Sequence, residues 1–128
     1  MKLTKIANIM RSKDEEILQT ACVTWFDYQY PQYRQLLFAV PNGGSRHKLE
    51  AINLKKQGVR AGISDIILLV PNIANNLSFL CIEFKTKKGV QQSEQINFET
   101  AINKYSKGAY ILIRSFEEFK ENIEYYLS

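Results

Sequence analysis

Asp65-Ile66-Ile67-Leu68-Leu69-Val70, then Pro71 to Ser78, then Phe79-Leu80-Cys81-Ile82-Glu83-Phe84-Lys85: this stretch decides the fold. Both flanking runs are rich in β-branched and leucine residues, and the connector carries Asn75-Asn76, so an antiparallel hairpin is expected. Side chains alternate along a strand. Leu80, Ile82 and Phe84 therefore share an apolar face that goes to the core, and Glu83 and Lys85 are pushed to the opposite one. Asp65 opens the partner strand, where its carboxylate can lie close to Glu83.

Helical and strand signals surround this hairpin. Ser12-Lys13-Asp14-Glu15 has the form of a capping box, and Leu18, Cys22, Trp25 and Phe26 follow at helical spacing. A first helix from about 13 to 29, stopped by Pro31, is expected. Leu36 to Val40 reads as a strand closed by Pro41-Asn42-Gly43-Gly44. Lys48 to Gln57 reads as a helix with Gly58 as its stop. Beyond the hairpin, Gln91 to Lys107 is helical, with Phe98, Ala101, Ile102 and Tyr105 as its apolar stripe. Ala109 to Arg114 is a strand, and Ser115-Phe116-Glu117-Glu118 opens a last helix with Phe119, Ile123 and Tyr126 on one side. The order α-β-α-β-β-α-β-α predicts an α/β fold: a mixed sheet of about four strands flanked by helices. No repeat, low-complexity tract or linker interrupts it. A single domain over residues 12–128 is expected, with residues 1–11 as a loosely held arm.

The bulk composition is that of a folded chain, with 45% apolar and 23% charged residues among 128, enough for one core. A membrane span needs about 20 consecutive apolar residues, and the run Ile66 to Val70 is far shorter. Met1 to Met10 lacks the apolar centre of a secretion signal, so a cytoplasmic protein is expected. Cys22 and Cys81 sit in apolar stretches and read as buried small hydrophobes. His47 is the one histidine, which excludes a site built from two imidazoles. The net charge of +4 permits nucleic-acid binding without demonstrating it. The positive charge is concentrated: Arg46, Lys48, Lys55, Lys56 and Arg60 face only Glu50 over residues 46 to 60, whereas residues 115 to 128 carry four glutamates against one lysine.

Two close carboxylates repel unless a cation lies between them. Hard divalent ions such as magnesium choose oxygen ligands and keep several waters. A lysine beside such an ion can orient or deprotonate a water, which suits hydrolysis of a phosphodiester. Glu83-Phe84-Lys85 taken alone is more often a salt bridge on a solvated sheet face, so the residues by themselves leave a nuclease as one option among several.

Asp65, a hairpin and Glu83-Phe84-Lys85 resemble the acid, then Glu-x-Lys, pattern of the restriction-endonuclease-like nucleases. The wider set is similar to one branch, the VRR-NUC domains (virus-type replication-repair nucleases). The matching pieces are Glu15 with Gln19; Phe38-Ala39-Val40-Pro41-Asn42-Gly43-Gly44 with Arg46; Gly58-Val59-Arg60-Ala61-Gly62-Ile63-Ser64-Asp65; Cys81-Ile82-Glu83-Phe84-Lys85-Thr86-Lys87-Lys88-Gly89; Gln95; and Arg114-Ser115. The ordered set runs nearly the whole chain. It implies a restriction-endonuclease-like core, with Asp65 and Glu83 as metal-binding carboxylates and the Phe84 backbone carbonyl as a further ligand. Lys85 would be the catalytic lysine. Glu15 would reach the metal through water, and Gln95 would support the site. The family often has proline where Ser64 stands, and serine where Gln92 stands; the second departure questions the usual start of that helix.

The supporting residues keep alternative readings. Glu15 also fits a capping-box acid, with Glu16 as a weaker substitute for its site role, and Gln95 fits a polar residue satisfying a backbone group. Asn42, Gly43 and Gly44 fit a plain turn, or a backbone that approaches a phosphate beside Arg46 and Lys48. Lys55, Lys56 and Arg60 fit a solvated helix end or DNA contact, and Lys87 and Lys88 follow the catalytic strand directly, near DNA. Trp25, Phe26, Tyr28, Tyr30 and Tyr33 fit core or a subunit interface. The function expected is a DNA endonuclease using Mg2+ or Mn2+, with no organic cofactor and no membrane partner. It is expected to select branched or duplex DNA by structure, because nothing resembles a base-reading element. The likeness of stand-alone family members to Holliday-junction resolvases implies a homodimer, and so short a domain fits a phage or prophage setting. The rival is a non-catalytic or partner-dependent DNA-binding or assembly module with the same fold. An RNA-directed nuclease is not separable by sequence.

Overall fold

The computed structural model describes the backbone of residues 2–41 and 48–128, and the side chains of 13–41 and 48–128. The expected contacts of Asn42, Gly43, Gly44 and Arg46 lie outside the described residues. Helix α1 spans Lys2–Gln29, followed by a 3-10 turn at Pro31–Leu36 and strand β1 at Leu37–Ala39. Helix α2 is Lys48–Lys56, strand β2 Ile66–Leu68, strand β3 Phe79–Phe84 and helix α3 Ser93–Tyr105. Strand β4, Gly108–Ile113, and helix α4, Phe116–Leu127, complete the chain.

The sheet order is β1-β2-β3-β4. The first two pairings are antiparallel and β3–β4 is parallel. A parallel pair needs a crossover connection, and α3 is that connection. Helices α1 and α4 cover one face, where Cys22, Phe26, Phe119, Ile123 and Tyr126 pack on Ile66, Leu68, Leu80, Ile82, Phe84 and Ile113. Helix α3 packs against β4 on the other face through Phe98, which meets Tyr110 edge-on at 6.2 Å. No described helix is long and apolar enough to cross a membrane.

Three expectations are corrected. Helix α1 begins at Lys2, not near 13, so most of the expected N-terminal arm is helical and Ser12 lies inside the helix. Residues 2–12 contain neither glycine nor proline and several strong helix formers, so propensity carries the helix through the capping-box signal. The stripe on α3 is narrower than expected: Tyr105 and Ala101 are exposed and no α3 residue is buried. Finally, β3 is buried on both faces rather than one, with Cys81, Glu83 and Lys85 enclosed as fully as Leu80, Ile82 and Phe84. Both cysteines are buried free thiols, as expected. Burial raises the Cys22 thiol to about 12, which keeps it protonated. Of the five aromatic residues before β1, Phe26 is core, Trp25, Tyr30 and Tyr33 pack against the core, and Tyr28 is exposed.

Candidate active site

The register of the hairpin builds the site. Ile66 pairs with Ile82 at the end of the β2–β3 ladder. One step further, Asp65 falls opposite Glu83, and there a side chain takes over from the backbone: the Phe84 N–H donates to Asp65 Oδ2 at 2.7 Å. Directly opposed residues in an antiparallel pair lie side by side on one face, so Asp65 and Glu83 face the same space. Lys85 is two residues along β3, on that face too. On the other edge of β3, the Lys85 N–H donates to the Ile113 carbonyl at 3.0 Å, which keeps this residue tied to β4.

Glu83 is only 2% exposed and Lys85 7%. Burial at this level excludes the solvated salt bridge that Glu83-Phe84-Lys85 alone also fits. Burial pushes the Glu83 carboxyl up to about 9. A hydrogen bond with Asp65 and the charge of Asp65 add to the rise, while Lys85 and Tyr110 oppose it. Glu83 is thus held above the usual carboxylate range, and a second negative charge beside Asp65 is disfavoured.

Helix α3 holds Glu83 from above. Gln95 Nε2 donates to Glu83 Oε2 at 3.0 Å. Its Oε1 accepts the Gln92 N–H at 2.7 Å, one half of a capping box at the start of α3. Gln92, standing where the family often has serine, still starts the helix there. One end of the Gln95 amide thus satisfies a backbone group, and the other bonds Glu83. Ser64, standing where the family often has proline, is fully buried and bonds the Ile66 carbonyl at 3.4 Å. Gly62 has φ +82°, and a Cβ there would overlap the Glu94 backbone, so glycine lets the segment before Asp65 lie against α3.

Asp65 lines two clefts. One, of about 370 Å³, is shared with Glu15, Glu16, Gln19, Ala39, Val40 and Pro41. The other, of about 230 Å³, is shared with Ala61, Gly62, Ile63, Gln92, Glu94 and Gln95. Glu15 therefore reaches the same space as Asp65. Its Oε1 also lies 3.4 Å from where a Cβ on Gly89 would stand, which places it against the turn that follows Lys85. That turn, Thr86 to Gly89, is closed by a hydrogen bond from the Gly89 N–H to the Thr86 carbonyl at 3.1 Å. Arg114 Nη1 clamps it by donating to the carbonyls of Thr86 at 2.6 Å, Gly89 at 2.8 Å and Lys87 at 3.4 Å.

Asp65, Glu83, Lys85, Gln95 and Glu15 are thus gathered at one end of the sheet. Lys87 and Lys88 project exposed from the clamped turn, and Lys48, Lys55, Lys56 and Arg60 are exposed on and just after α2. Arg60 Nη1 bonds the Lys55 carbonyl at 3.2 Å, a helix-end contact. Sequence reasoning missed Tyr110, Gln91 and Glu99, which extend the hydrogen bonding around Glu83. The signal was a single polar tip, Tyr110, inside the aliphatic run Ala109 to Ile113.

Among the described residues, no group of three or more His, Cys, Asp or Glu side chains is gathered to hold a metal. The donor set is two carboxylates in contact, with oxygen donors only. That chemistry fits a hard divalent ion that keeps part of its water shell, because such an ion would offset the repulsion of two adjacent carboxylates.

The fold is similar to that of a solved structure described as a VRR_NUC domain protein. The TM-score is 0.74 at 20% sequence identity, over 88% of this chain and 87% of the other. At that identity the likeness establishes the fold, the one that the ordered motifs implied. No protein-family model and none of the curated proteins matches the sequence.

Proposed function

We propose that this chain, a VRR-NUC fold, is a divalent-metal-dependent endonuclease that hydrolyses phosphodiester bonds in DNA. The observation that carries the proposal is the contact of Asp65 with Glu83 beyond the last β2–β3 pair, with buried Lys85 on the same face. Burying Glu83 and Lys85 beside a half-buried Asp65 costs stability unless the charges are paired or used.

Asp65 and Glu83 would hold magnesium or manganese, with the Phe84 carbonyl as a further ligand and Glu15 reaching it through water. A bound ion supplies Lewis acidity to the phosphate and lowers the pKa of a bound water. The Phe84 N–H fixes Asp65, and Gln95 fixes Glu83, so neither carboxylate must reorganise during the reaction. The Lys85 ammonium, whose charge acts on Glu83, would orient the attacking water or offset charge growing on the phosphate. The exposed lysines of the Thr86–Gly89 turn and of α2 grip the DNA backbone. Phosphate contacts position a duplex without reading its sequence, which supports selection by DNA structure, with branched DNA as the substrate class. A junction has two strands to cut, and that need is met by a homodimer.

A cleavage assay tests the reading. Wild type and Lys85→Ala are incubated with single-stranded, duplex, flap and four-way-junction DNA in magnesium, manganese or EDTA. Metal-dependent cutting that disappears in the variant is expected. Tight binding without cutting of any substrate would favour the partner-dependent or non-catalytic module instead. Light scattering with and without junction DNA tests the dimer, and a monomer in both conditions would remove it.

A further inference from the structure

We propose that Tyr110, anchored by Gln91, is a positioning residue that orients Glu83 for metal binding; the inference rests on the reading of Glu83 as a metal ligand. Gln95 addresses one oxygen of Glu83 and leaves the other. The Tyr110 hydroxyl faces that other oxygen, Oε1, at 3.4 Å. The two oxygens are thus contacted from different elements, α3 and β4, and the carboxyl plane is set by both.

The direction of the Tyr110 proton follows from its neighbours. Gln91 Nε2 donates to the Tyr110 hydroxyl oxygen at 3.1 Å, and to Glu99 Oε1 at 3.2 Å. An amide nitrogen has two protons and a phenol has one. Gln91 uses both of its own, so the phenol accepts from Gln91 and has its single proton left for Glu83. The ring is fixed as well: Tyr110 pairs with Cys81 in the parallel ladder, on the face of Glu83, and Phe98 packs on it edge-on.

At 3.4 Å the contact is long for a hydroxyl donor, so its effect is expected at the low end of what a residue behind a metal ligand contributes, about tenfold in metal affinity. The test is manganese titration by calorimetry on wild type, Tyr110→Phe, Gln91→Ala and Glu83→Gln, joined to the magnesium dependence of DNA cleavage. Glu83→Gln should abolish manganese binding. Tyr110→Phe should weaken it by about five- to tenfold and raise the half-saturating magnesium concentration in parallel. Turnover should recover at saturating metal, which a general loss of structure would not allow. Gln91→Ala keeps the phenol but releases its proton, and should shift affinity the same way by less; it carries the test alone if Tyr110→Phe fails to fold. Loss of binding in Glu83→Gln with wild-type affinity in both other variants overturns the role of Tyr110 while sparing the metal site. Wild type that binds no manganese, or Glu83→Gln that binds it normally, overturns the metal-ligand reading and this inference with it.

Discussion

Asp65 Oδ2 accepts the Phe84 N–H at 2.7 Å, so the first acid of the site is bonded to the backbone of the residue between Glu83 and Lys85. The bond replaces the ladder partner that β2 no longer supplies beyond Ile66. Asp65 therefore has a structural task, as acceptor for a partly buried N–H, and a chemical one, as a charge beside Glu83.

Two substitutions separate those tasks. Asp65→Asn keeps an acceptor and removes the charge. It should fold with thermal stability close to that of the wild type, because the Phe84 N–H keeps an acceptor, and still lose manganese binding. Cleavage should fall by about 10²-fold or more, since a bound metal is worth several kcal/mol of charge stabilisation. Asp65→Ala also strips the acceptor and should cost a further 1–3 kcal/mol or so of stability. Thermal melts and cleavage rates on both variants check this; equal stability of the two would remove the structural task.

The raised Glu83 carboxyl sets the pH dependence. Its value is about 9 in the folded protein against 4.5 as the reference. Between those values the folded chain binds a proton that the unfolded chain has lost, so stability is greatest below the reference value and falls as pH rises toward 9. Glu83→Gln should flatten this fall, seen as a smaller change in melting temperature between about pH 5 and pH 9, on the order of one titrating group. Metal must displace the same proton. Manganese affinity should therefore rise from about pH 6 to pH 8, with proton uptake by buffer visible in calorimetry with buffers of different ionisation enthalpy. An affinity independent of pH would mean that Glu83 is already ionised in the free protein.

The grouping of Asp65, Glu83 and Lys85 was legible because it depends on two local rules. Alternation places Glu83 with Lys85, and hairpin register places Asp65 opposite Glu83. The burial of Glu83 was not legible, since β3 lies in mid-sheet under α3 and a strand of that kind loses its polar-face signature. Gln95 was found only through the ordered motifs: its spacing from Phe98 reads as ordinary helix. Tyr110 meets Glu83 across a parallel pairing whose register no short-range signal specifies, and Gln91 reaches Glu83 only through Tyr110. The early start of α1 was hidden by a capping box at Ser12 that the helix runs through.

Arg114 links β4 to the turn after β3. Its Nη1 serves carbonyls of Thr86, Lys87 and Gly89 at once, and hydrogen bonds from a charged donor contribute about 1.5–3 kcal/mol. Arg114→Ala should leave the core intact yet release the turn. Hydrogen exchange should show faster amide exchange at Gly89, and cleavage should drop through poorer placement of Lys85 and of Glu15, which lies against Gly89. Arg114→Lys should rescue this only in part, because a point ammonium lacks the planar fork of a guanidinium. Unchanged exchange in Arg114→Ala would mean that the turn holds itself through its own Gly89–Thr86 bond.

Lys87 and Lys88 are the exposed cations nearest the carboxylates along the chain, whereas Lys55 and Lys56 sit at the end of α2. Removing one lysine that neutralises a phosphate should lower the slope of log affinity against log salt by about 0.9 on duplex DNA. Lys87→Ala with Lys88→Ala should therefore reduce the slope by about 2, weaken binding uniformly across sequences, and leave melting temperature unchanged. The same pair of changes at Lys55 and Lys56 should produce a comparable reduction only if α2 also lies on DNA. Fluorescence anisotropy over a salt series measures both. A full effect at the turn with none at α2 would confine the DNA track to the β3 end of the sheet. Equal effects would require a track that spans Asp65 from both sides, the arrangement in which Glu15 and Gln95 flank the cleaved phosphate.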